Sequence, residues 1–387
     1  MSRKSTINRV IFMMLPWFGI CSNKLVLLIS RVFWIVTIAF IEFCHYLYFS
    51  KHLSSDNFFN LVDCLCSFLA HAKVIAKLIA FWINQRKFAE ILALITDDWN
   101  DCAKSDISVR MATYKAKISD RITNVILVLY TVTIVAYCMG VIIADADITD
   151  KTMVELPFVN KLELPFSINT RNMYRSVLIM EFLHMILCNL AAGTVNAILL
   201  AMVLHIGGQI DILQYWLAQL TPEEIKNKEL SIVIATKKII LKHQKIIQFS
   251  ENIESLYTQI ALVLFASNTM LICSLGFLIV TAIGTPDVME QIIKCLLFFT
   301  TTNLEAFIFC YAGEYLNNKS KQVGFATYSC AWYNLKPKDS RILLFIILRS
   351  QRQLTLTAGK MMDLTLQSFA SIMNASGSYL SVLLAMQ

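Results

Sequence analysis

The sequence predicts an all-α membrane protein with seven transmembrane helices. Of its 387 residues, 57% are hydrophobic and 16% are charged, which is too apolar for a soluble domain of this length. The segment Leu364–Gln387 contains no charged side chain. As a helix it would extend roughly 36 Å, enough to cross the ~30 Å hydrocarbon core of a bilayer. We therefore expect it to be a transmembrane helix.

Seven segments in all are long and apolar enough to span a bilayer. In chain order they are Leu25–Phe49, Leu61–Phe81, Ile122–Ile143, Ser176–Leu204, Ile260–Ile283, Ile292–Tyr311 and Leu364–Met386. A shorter apolar stretch, Val10–Cys21, contains Pro16 and Gly19 and has no small-residue cleavage site after it. We expect a short interfacial or re-entrant piece there and not a cleaved signal peptide.

The distribution of charge predicts the orientation of these spans. Of the 34 Lys and Arg residues, 25 lie before the first span or in the connections after spans two, four and six, whereas six lie on the opposite side. Because cytoplasmic loops carry the excess of basic residues, the N-terminus is expected in the cytoplasm and the C-terminus outside the cell. The net charge of +7 then reflects orientation in a lipid bilayer and not binding to nucleic acid.

Several functional classes lack their motifs in this chain. G-protein-coupled receptors have the opposite orientation, and neither their Asp-Arg-Tyr triplet after span three nor their Asn-Pro-x-x-Tyr motif in span seven is present. The phosphate loop, the His-Glu-x-x-His motif and the nucleophile elbow of enzymes are also missing, so neither an enzyme nor a cofactor is expected. Most of the 11 cysteines lie within spans and are expected to pack as small apolar residues without binding metal.

The connections on the predicted cytoplasmic side are expected to form a helical anchor. Residues 205–259 place isoleucines among lysines with helical spacing. The apolar stretch Ser340–Gln351 is too short to cross the membrane, and Trp332 and Tyr333 precede it with large side chains suited to docking. Four subunits joined here and a monomer with a compact inner lobe fit this composition equally well.

The predicted organisation has six consecutive parts. They are residues 1–24 (a cytoplasmic N-terminal and re-entrant segment), 25–204 (spans one to four), 205–259 (a cytoplasmic helical extension), 260–311 (spans five and six), 312–363 (the cytoplasmic anchor with the short helix 340–351) and 364–387 (span seven).

Ionisable and small side chains mark two of the spans. Lys73 and Lys77 lie one turn apart in span two and are expected to snorkel toward the cytoplasmic surface. In span seven, small or weakly polar side chains recur at helical spacing from Ser371 to Ala385, with Val382 as the bulkiest. Such a stripe is more often a sign of close helix packing, although a water-lined pore with an apolar constriction would use the same stripe.

Short motifs along the chain carry a family resemblance. They are Leu15-Pro-Trp17-Phe-Gly19, His205-Ile-Gly-Gly-Gln209, His243-Gln-Lys-Ile-Ile-Gln-Phe249, Phe309-Cys-Tyr-Ala-Gly313-Glu314, Leu348-Arg-Ser-Gln-Arg352, Leu356-Thr-Ala-Gly359-Lys360 and Ser378-Tyr379-Leu-Ser-Val382. In their order and spacing these motifs resemble the insect odorant receptor family. The resemblance covers the whole chain and is densest over the last 80 or so residues.

The resemblance implies a subunit of a ligand-gated, non-selective cation channel in the plasma membrane. In that family, this membrane is that of olfactory neuron dendrites. Four subunits, including an odorant co-receptor, would meet through the cytoplasmic anchor around a central pore. The resemblance places Trp332, Tyr333, Leu344 and Ile347 in the anchor, and Ser378, Val382 and Ala385 in the pore, with Val382 as the hydrophobic gate. Residues 205–259 lack the long insertion of the co-receptor, so the chain resembles a ligand-tuning subunit.

The resemblance also implies that a volatile organic ligand binds within each subunit, among the outer halves of spans two, three, four and six. Positions expected to face this pocket from helical phase are Phe68, Ala72, Tyr137, Gly140, Met180, His184, Phe298 and Thr302.

Two alternatives stay open at this point. A gustatory receptor channel would carry Thr-Tyr and then Gln-Phe in span seven, where this chain has Ser378-Tyr379 and then Ala385-Met386. A small-solute transporter would show repeat symmetry between its halves, and none is visible. The sequence names neither the odorant nor the breadth of tuning, nor does it give the subunit stoichiometry.

Overall fold

A computed structural model describes residues 5–20, 23–53, 58–147, 158–220, 232–283 and 288–385. Within these ranges the elements, in chain order, are α1 (Arg9–Met14), a 3-10 turn (Leu15–Phe18), α2 (Lys24–His52), α3 (Phe58–Ile83), α4 (Gln85–Cys102), α5 (Asp106–Asp147), α6 (Arg171–Ala218), α7 (Ile232–Ala282), α8 (Val288–Ser329), a second 3-10 turn (Trp332–Asn334), α9 (Pro337–Gln351), β1 (Thr357–Ala358), β2 (Met362–Asp363) and α10 (Leu366–Ala385).

Polar residues and a proline set the starts of several helices. The side chains of Asn8, Asn23 and Thr170 accept backbone N–H bonds in the first turns of α1, α2 and α6, which satisfies donors that a helix start leaves free. Pro337 stands at the beginning of α9, where a missing N–H costs nothing. The capping residues and the proline between apolar segments therefore determine where these helices begin.

Six helices, α2, α3, α5, α6, α7 and α8, are long and apolar enough to cross a membrane. Each coincides with one of the first six predicted spans, and only the fifth span extends beyond its helix, by one residue, Ile283. The 20-residue α10 covers most of the seventh, whose last residue, Met386, lies outside the described residues. The prediction of an all-α membrane protein is confirmed. The orientation of its termini stays a prediction.

Four of these helices are much longer than a bilayer requires. The 48 residues of α6 and the 51 of α7 would extend roughly 70–75 Å at 1.5 Å per residue. Every residue from 191 to 210 in α6 is buried, as expected of a helix that is surrounded on all sides. The C-terminal part of α6, the N-terminal part of α7 and the C-terminal part of α8 pack with α4 and α9. We call these five helical pieces together the anchor lobe.

A buried polar network holds the anchor lobe together. Asp98 of α4 accepts from Lys242 of α7 at 2.7 Å and contacts His205 Nε2 of α6 at 3.2 Å. Burial raises the pKa of Asp98, but His205 and Lys242 together lower it from 3.8 to about 2. Because the pKa is lower in the fold than in the unfolded chain, this stabilisation is present at neutral pH and is lost as the pH falls through about 4 to 2.

The segment before α2 packs into the bundle. Ile11 and Phe18 are buried, and Trp34 of α2 donates its indole N–H to the carbonyl of Trp17 at 2.9 Å. Trp82 of α3 donates to the carbonyl of Phe18 at 2.8 Å. One side of this segment is therefore covered by helices, whereas Phe12, Met13 and Trp17 are exposed. Its position at an interface stays a prediction, and Cys21 lies outside the described residues.

A small hairpin, which the sequence analysis did not predict, connects the anchor lobe to α10. β1 pairs antiparallel with β2, and the turn places Gly359 and Lys360 at φ of 58° and 59°, a region that favours glycine. Gly359 N donates to the carbonyl of Thr258 at 2.9 Å, and Thr357 Oγ1 donates to Glu254 at 2.6 Å. The start of α10 is therefore tied to α7.

We expect Asp98→Asn to destabilise the anchor lobe. The variant keeps the size of the side chain but leaves Lys242 buried without its counter-ion, which costs about 3–5 kcal/mol. The melting temperature of the detergent-solubilised protein, followed by fluorescence-detected size exclusion, measures this loss. The matched control is Asp101→Asn, because Asp101 is 43% exposed where it pairs with Lys245 at 3.1 Å. It should lose less than about 1 kcal/mol, and equal losses in the two variants would contradict the account.

Candidate functional site

A cavity of about 110 Å³ lies inside the bundle, where α3, α5, α6 and α8 face one another. Its middle is apolar and aromatic. Tyr137 of α5 and Phe298 of α8 meet edge to face at 6.4 Å between ring centroids, and Val74, Ile134 and Met185 complete this part of the lining. Such walls suit a small apolar ligand.

One end of the cavity is closed by Asn160, from the connection between α5 and α6. Its side chain is bonded to Ser67 Oγ of α3 at 3.1 Å. The backbone N–H groups of Val159 and Asn160 donate to Glu181 of α6 at 3.3 and 2.8 Å. A single buried carboxylate thus holds this connection over the cavity.

The other end of the cavity is charged. Lys73 Nζ of α3 lies 2.6 Å from one carboxylate oxygen of Glu305 in α8, and Lys77 pairs with the other oxygen. Lys73 also donates to Asn268 Oδ1 of α7 at 3.0 Å, and Asn268 Nδ2 donates to the carbonyl of Thr302 at 3.2 Å. Lys73 and Glu305 line the cavity. This cluster joins three helices through groups that are each buried.

The snorkelling expected of Lys73 and Lys77 is therefore wrong. Their side chains are 8% and 3% exposed and point to Glu305, a partner in span six that the sequence analysis did not single out. The sequence could have predicted this pairing from two lysines in span two and a glutamate in span six, because a charge inside a bilayer is costly unless it is paired.

His71 and Cys188 line the cavity. The His71 ring stacks on that of His184, which lies behind it, with ring centroids 5.5 Å apart, and Cys188 Sγ lies 3.7 Å from His184. The three possible ligand atoms lie within 4.8 Å of one another, so these residues could hold a metal ion. His71 Nδ1 is already bonded to the carbonyl of Ser67 at 2.8 Å, and the His184 ring also packs against Trp34. The contacts equally satisfy a packed cluster without metal, as the sequence analysis expects.

The structure brings some of the expected pocket residues together and separates others. Tyr137, Phe298 and Thr302 line the cavity, and His184 is buried beside it. Phe68 and Met180 are 39% and 69% exposed, on the outside of the bundle. Ala72 is half-buried and outside the lining, and Gly140 lies in a part of α5 whose side chains are outside the described set. Ser67, Lys73, Asn160, Ala192 and Glu305 are lining residues that helical phase did not identify.

The residues expected in the pore and the anchor lie far along the chain from this cavity. In α10, Ser378 and Val382 are exposed, whereas the side chain of Ala385 is outside the described set. Trp332, Tyr333 and Leu344 are exposed, and Ile347 is half-buried.

Comparison with known proteins defines the class. The sequence profile of the 7tm Odorant receptor family matches residues 57–377. Odorant receptor 10 of Aedes albopictus is 32% identical over 160 residues, 41% of this chain and 40% of that protein. Odorant receptor 13a of Drosophila melanogaster is 30% identical over 158 residues, or 38% of this chain and 37% of that one. The chain thus matches about two fifths of the length of these relatives.

Longer matches agree with this class. Odorant receptor 22c of Drosophila melanogaster is 22% identical over 342 residues, 85% of this chain and 82% of that protein. The olfactory receptor OR5 from Machilis hrabei has the same fold, with a TM-score of 0.78, 15% identity and coverage of 98% of this chain and 97% of that one. Its structure in complex with eugenol gives a TM-score of 0.73.

The fold and the comparisons define a multi-pass helical membrane protein and not an enzyme. The family match extends over more than half of the chain, and the chain therefore belongs to the odorant receptor family. The resemblance seen in the sequence is confirmed, and the gustatory receptor and transporter alternatives are set aside.

We expect Glu305→Gln to destabilise the bundle by about 3–5 kcal/mol, because both lysines would stay buried without a carboxylate. The melting temperature and the fraction of protein at the cell surface measure this. Glu290→Gln on the same helix is the matched control. Glu290 is 50% exposed and pairs with Lys294 within α8 at 2.6 Å, so its loss should be about 0.5 kcal/mol or less. A Glu305→Gln variant as stable as this control would mean that the lysines are not charged.

Proposed function

We propose that this chain is the ligand-tuning subunit of a ligand-gated, non-selective cation channel that assembles with an odorant co-receptor in the plasma membrane. The single observation that carries this function is the cavity between α3, α5, α6 and α8. It lies within one subunit, is mostly apolar and has the small size that a volatile compound requires. The ligand favours the open channel by binding it more tightly than the closed one.

Exposed apolar residues at the far end of the chain support an assembly. In α9, Leu343 and Ile346 are buried against the protein, whereas Leu344, Phe345 and Leu348 are exposed. Tyr333 nearby is 71% exposed. Contiguous exposed apolar side chains are typical of interaction sites, and in the proposed tetramer this surface packs against the neighbouring subunits.

The last helix supplies the proposed pore. Val382 and Ser378 lie on an exposed face of α10, while Leu380 packs against α7, where a side chain at Gly276 would meet it at 2.6 Å. The face that carries Val382 is thus free to meet the same helix in other subunits, and Val382 forms the apolar gate. In this arrangement the N-terminus and the anchor lobe are cytoplasmic, as the excess of Lys and Arg on that side requires.

Oocyte recordings test the proposal. The chain is expressed with and without an insect odorant co-receptor, and the current is recorded during a panel of volatiles, with surface expression of both chains checked by biotinylation. We expect a ligand-evoked, non-selective cation current only when both chains are present. Absence of current with every volatile, despite both chains at the surface, would contradict the proposed function.

Filling the cavity should weaken this response. Ala192 of α6 is buried and lines the cavity, so Ala192→Leu inserts three carbon atoms where the ligand would lie. We expect the half-maximal concentration of an active volatile to rise at least about tenfold, a loss of about 1.4 kcal/mol. The matched control is Met180→Leu, since Met180 is on the same helix but 69% exposed. Equal responses of the two variants would place the ligand outside this cavity.

A further inference from the structure

The charged end of the cavity holds two lysines and one carboxylate. Glu305 is, in the described part of the chain, the only carboxylate in an ion pair with Lys73 or Lys77. All three side chains are at most 8% exposed, so bulk water contributes little to their solvation. Charged side chains inside a bilayer are expected to be paired and are candidates for functional sites. A single carboxylate therefore serves two amino groups, and a second anion at this end would give each lysine its own partner.

Of the two lysines, Lys73 is the one that reaches the cavity. Its ammonium group donates to Glu305 at 2.6 Å and to Asn268 Oδ1 at 3.0 Å. An ammonium group has three N–H donors, so a third donor is left for a group inside the cavity. Lys77 is not among the lining residues of the cavity and pairs with the other oxygen of Glu305.

Thr302 places a second polar group at the same end. Thr302 lines the cavity and is 2% exposed. Its hydroxyl has no hydrogen-bond partner among the described residues, although its backbone carbonyl accepts from Asn268. Buried hydroxyl groups are nearly always bonded, and each exception needs an explanation. A ligand oxygen between Thr302 Oγ1 and Lys73 Nζ would explain this one.

We propose that the cavity binds a short-chain carboxylic acid as its carboxylate, with the carboxylate accepting hydrogen bonds from Lys73 Nζ and Thr302 Oγ1. The bound anion brings the cluster to two positive and two negative charges. The alkyl chain then lies between Tyr137 and Phe298 in the apolar middle of the cavity. This inference rests on the proposed function, because it identifies the ligand class of the same site.

The size of the cavity limits the ligand. A buried apolar cavity of about 150 Å³ accommodates benzene, with six carbon atoms, and the cavity here is about 110 Å³. A straight-chain acid of about four carbon atoms is therefore the expected length, and longer acids require the walls to move.

Three compounds of nearly equal size test the charge preference. They are butanoic acid, its uncharged isomer methyl propanoate, and butylamine, which is a cation at neutral pH. With the chain co-expressed with the co-receptor, we expect butanoate to act at a half-maximal concentration at least about tenfold lower than methyl propanoate, since hydrogen bonds to charged groups are the stronger ones. Butylamine should be the weakest, because it adds a further positive charge.

Lys73→Met is the decisive variant. It leaves Lys77 and Glu305 as a balanced pair, so the bundle should still fold. We expect the half-maximal concentration of butanoate to rise at least about tenfold, while that of methyl propanoate changes less than about threefold. Thr302→Val, which keeps the shape but removes the hydroxyl, should weaken butanoate several-fold in the same selective way. The control Lys51→Met changes a lysine that is 64% exposed and should alter neither response.

A binding measurement separates this inference from the channel proposal. Titration calorimetry with butanoate and methyl propanoate is carried out on the purified full chain. Tighter binding of butanoate that is lost in Lys73→Met supports the inference, even if no volatile evokes current and the channel function fails. Butanoate that binds no better than its ester, or a Lys73→Met variant that weakens both compounds equally, overturns it.

Discussion

One buried carboxylate, Glu305, organises the interior of this receptor. Desolvated charges are tolerated only when their partners are held at hydrogen-bond distance, and here the partners come from two other helices, Lys73 and Lys77 from α3 and, through Lys73, Asn268 from α7. The need to pair these buried charges therefore fixes α3, α7 and α8 relative to one another. The cavity lies directly against this cluster, so its aromatic and apolar walls take their positions from helices that the charges hold in place.

The long helix α8 links the two ends of the molecule. Phe298, Thr302 and Glu305 contribute to the cavity. Gly313 lies roughly 12 Å beyond Glu305 along the helix, and a side chain there would collide with the carbonyl of Leu364, just before α10. A ligand that shifts α8 at the cavity would thus act on the base of α10 without any intervening loop. The hairpin bound to Thr258 gives α7 a second contact with the same base.

The sequence predicted the spans well because hydropathy is a local property of each segment. It predicted individual site residues less well, because a helix with lipid on one side and protein on the other is apolar all round. Phe68 and Met180 accordingly lie outside, whereas Tyr137 and Phe298 line the cavity. The partner of Lys73 stands more than 200 residues away in the chain, which no local pattern reveals. The spacing of apolar residues in α4 is amphipathic and could have predicted that helix, whereas the two-residue strands are too short to produce a distinct signal.

In the proposed function, the cavity between α3, α5, α6 and α8 holds the ligand that opens the channel. The most direct measurement is a pair of cryo-electron microscopy maps of this chain assembled with the co-receptor, with and without a volatile that evokes current. We expect ligand density between Tyr137 and Thr302, together with a wider separation of the Val382 side chains around the central axis. Ligand density between subunits, with this cavity unchanged in the open channel, would contradict the proposed function.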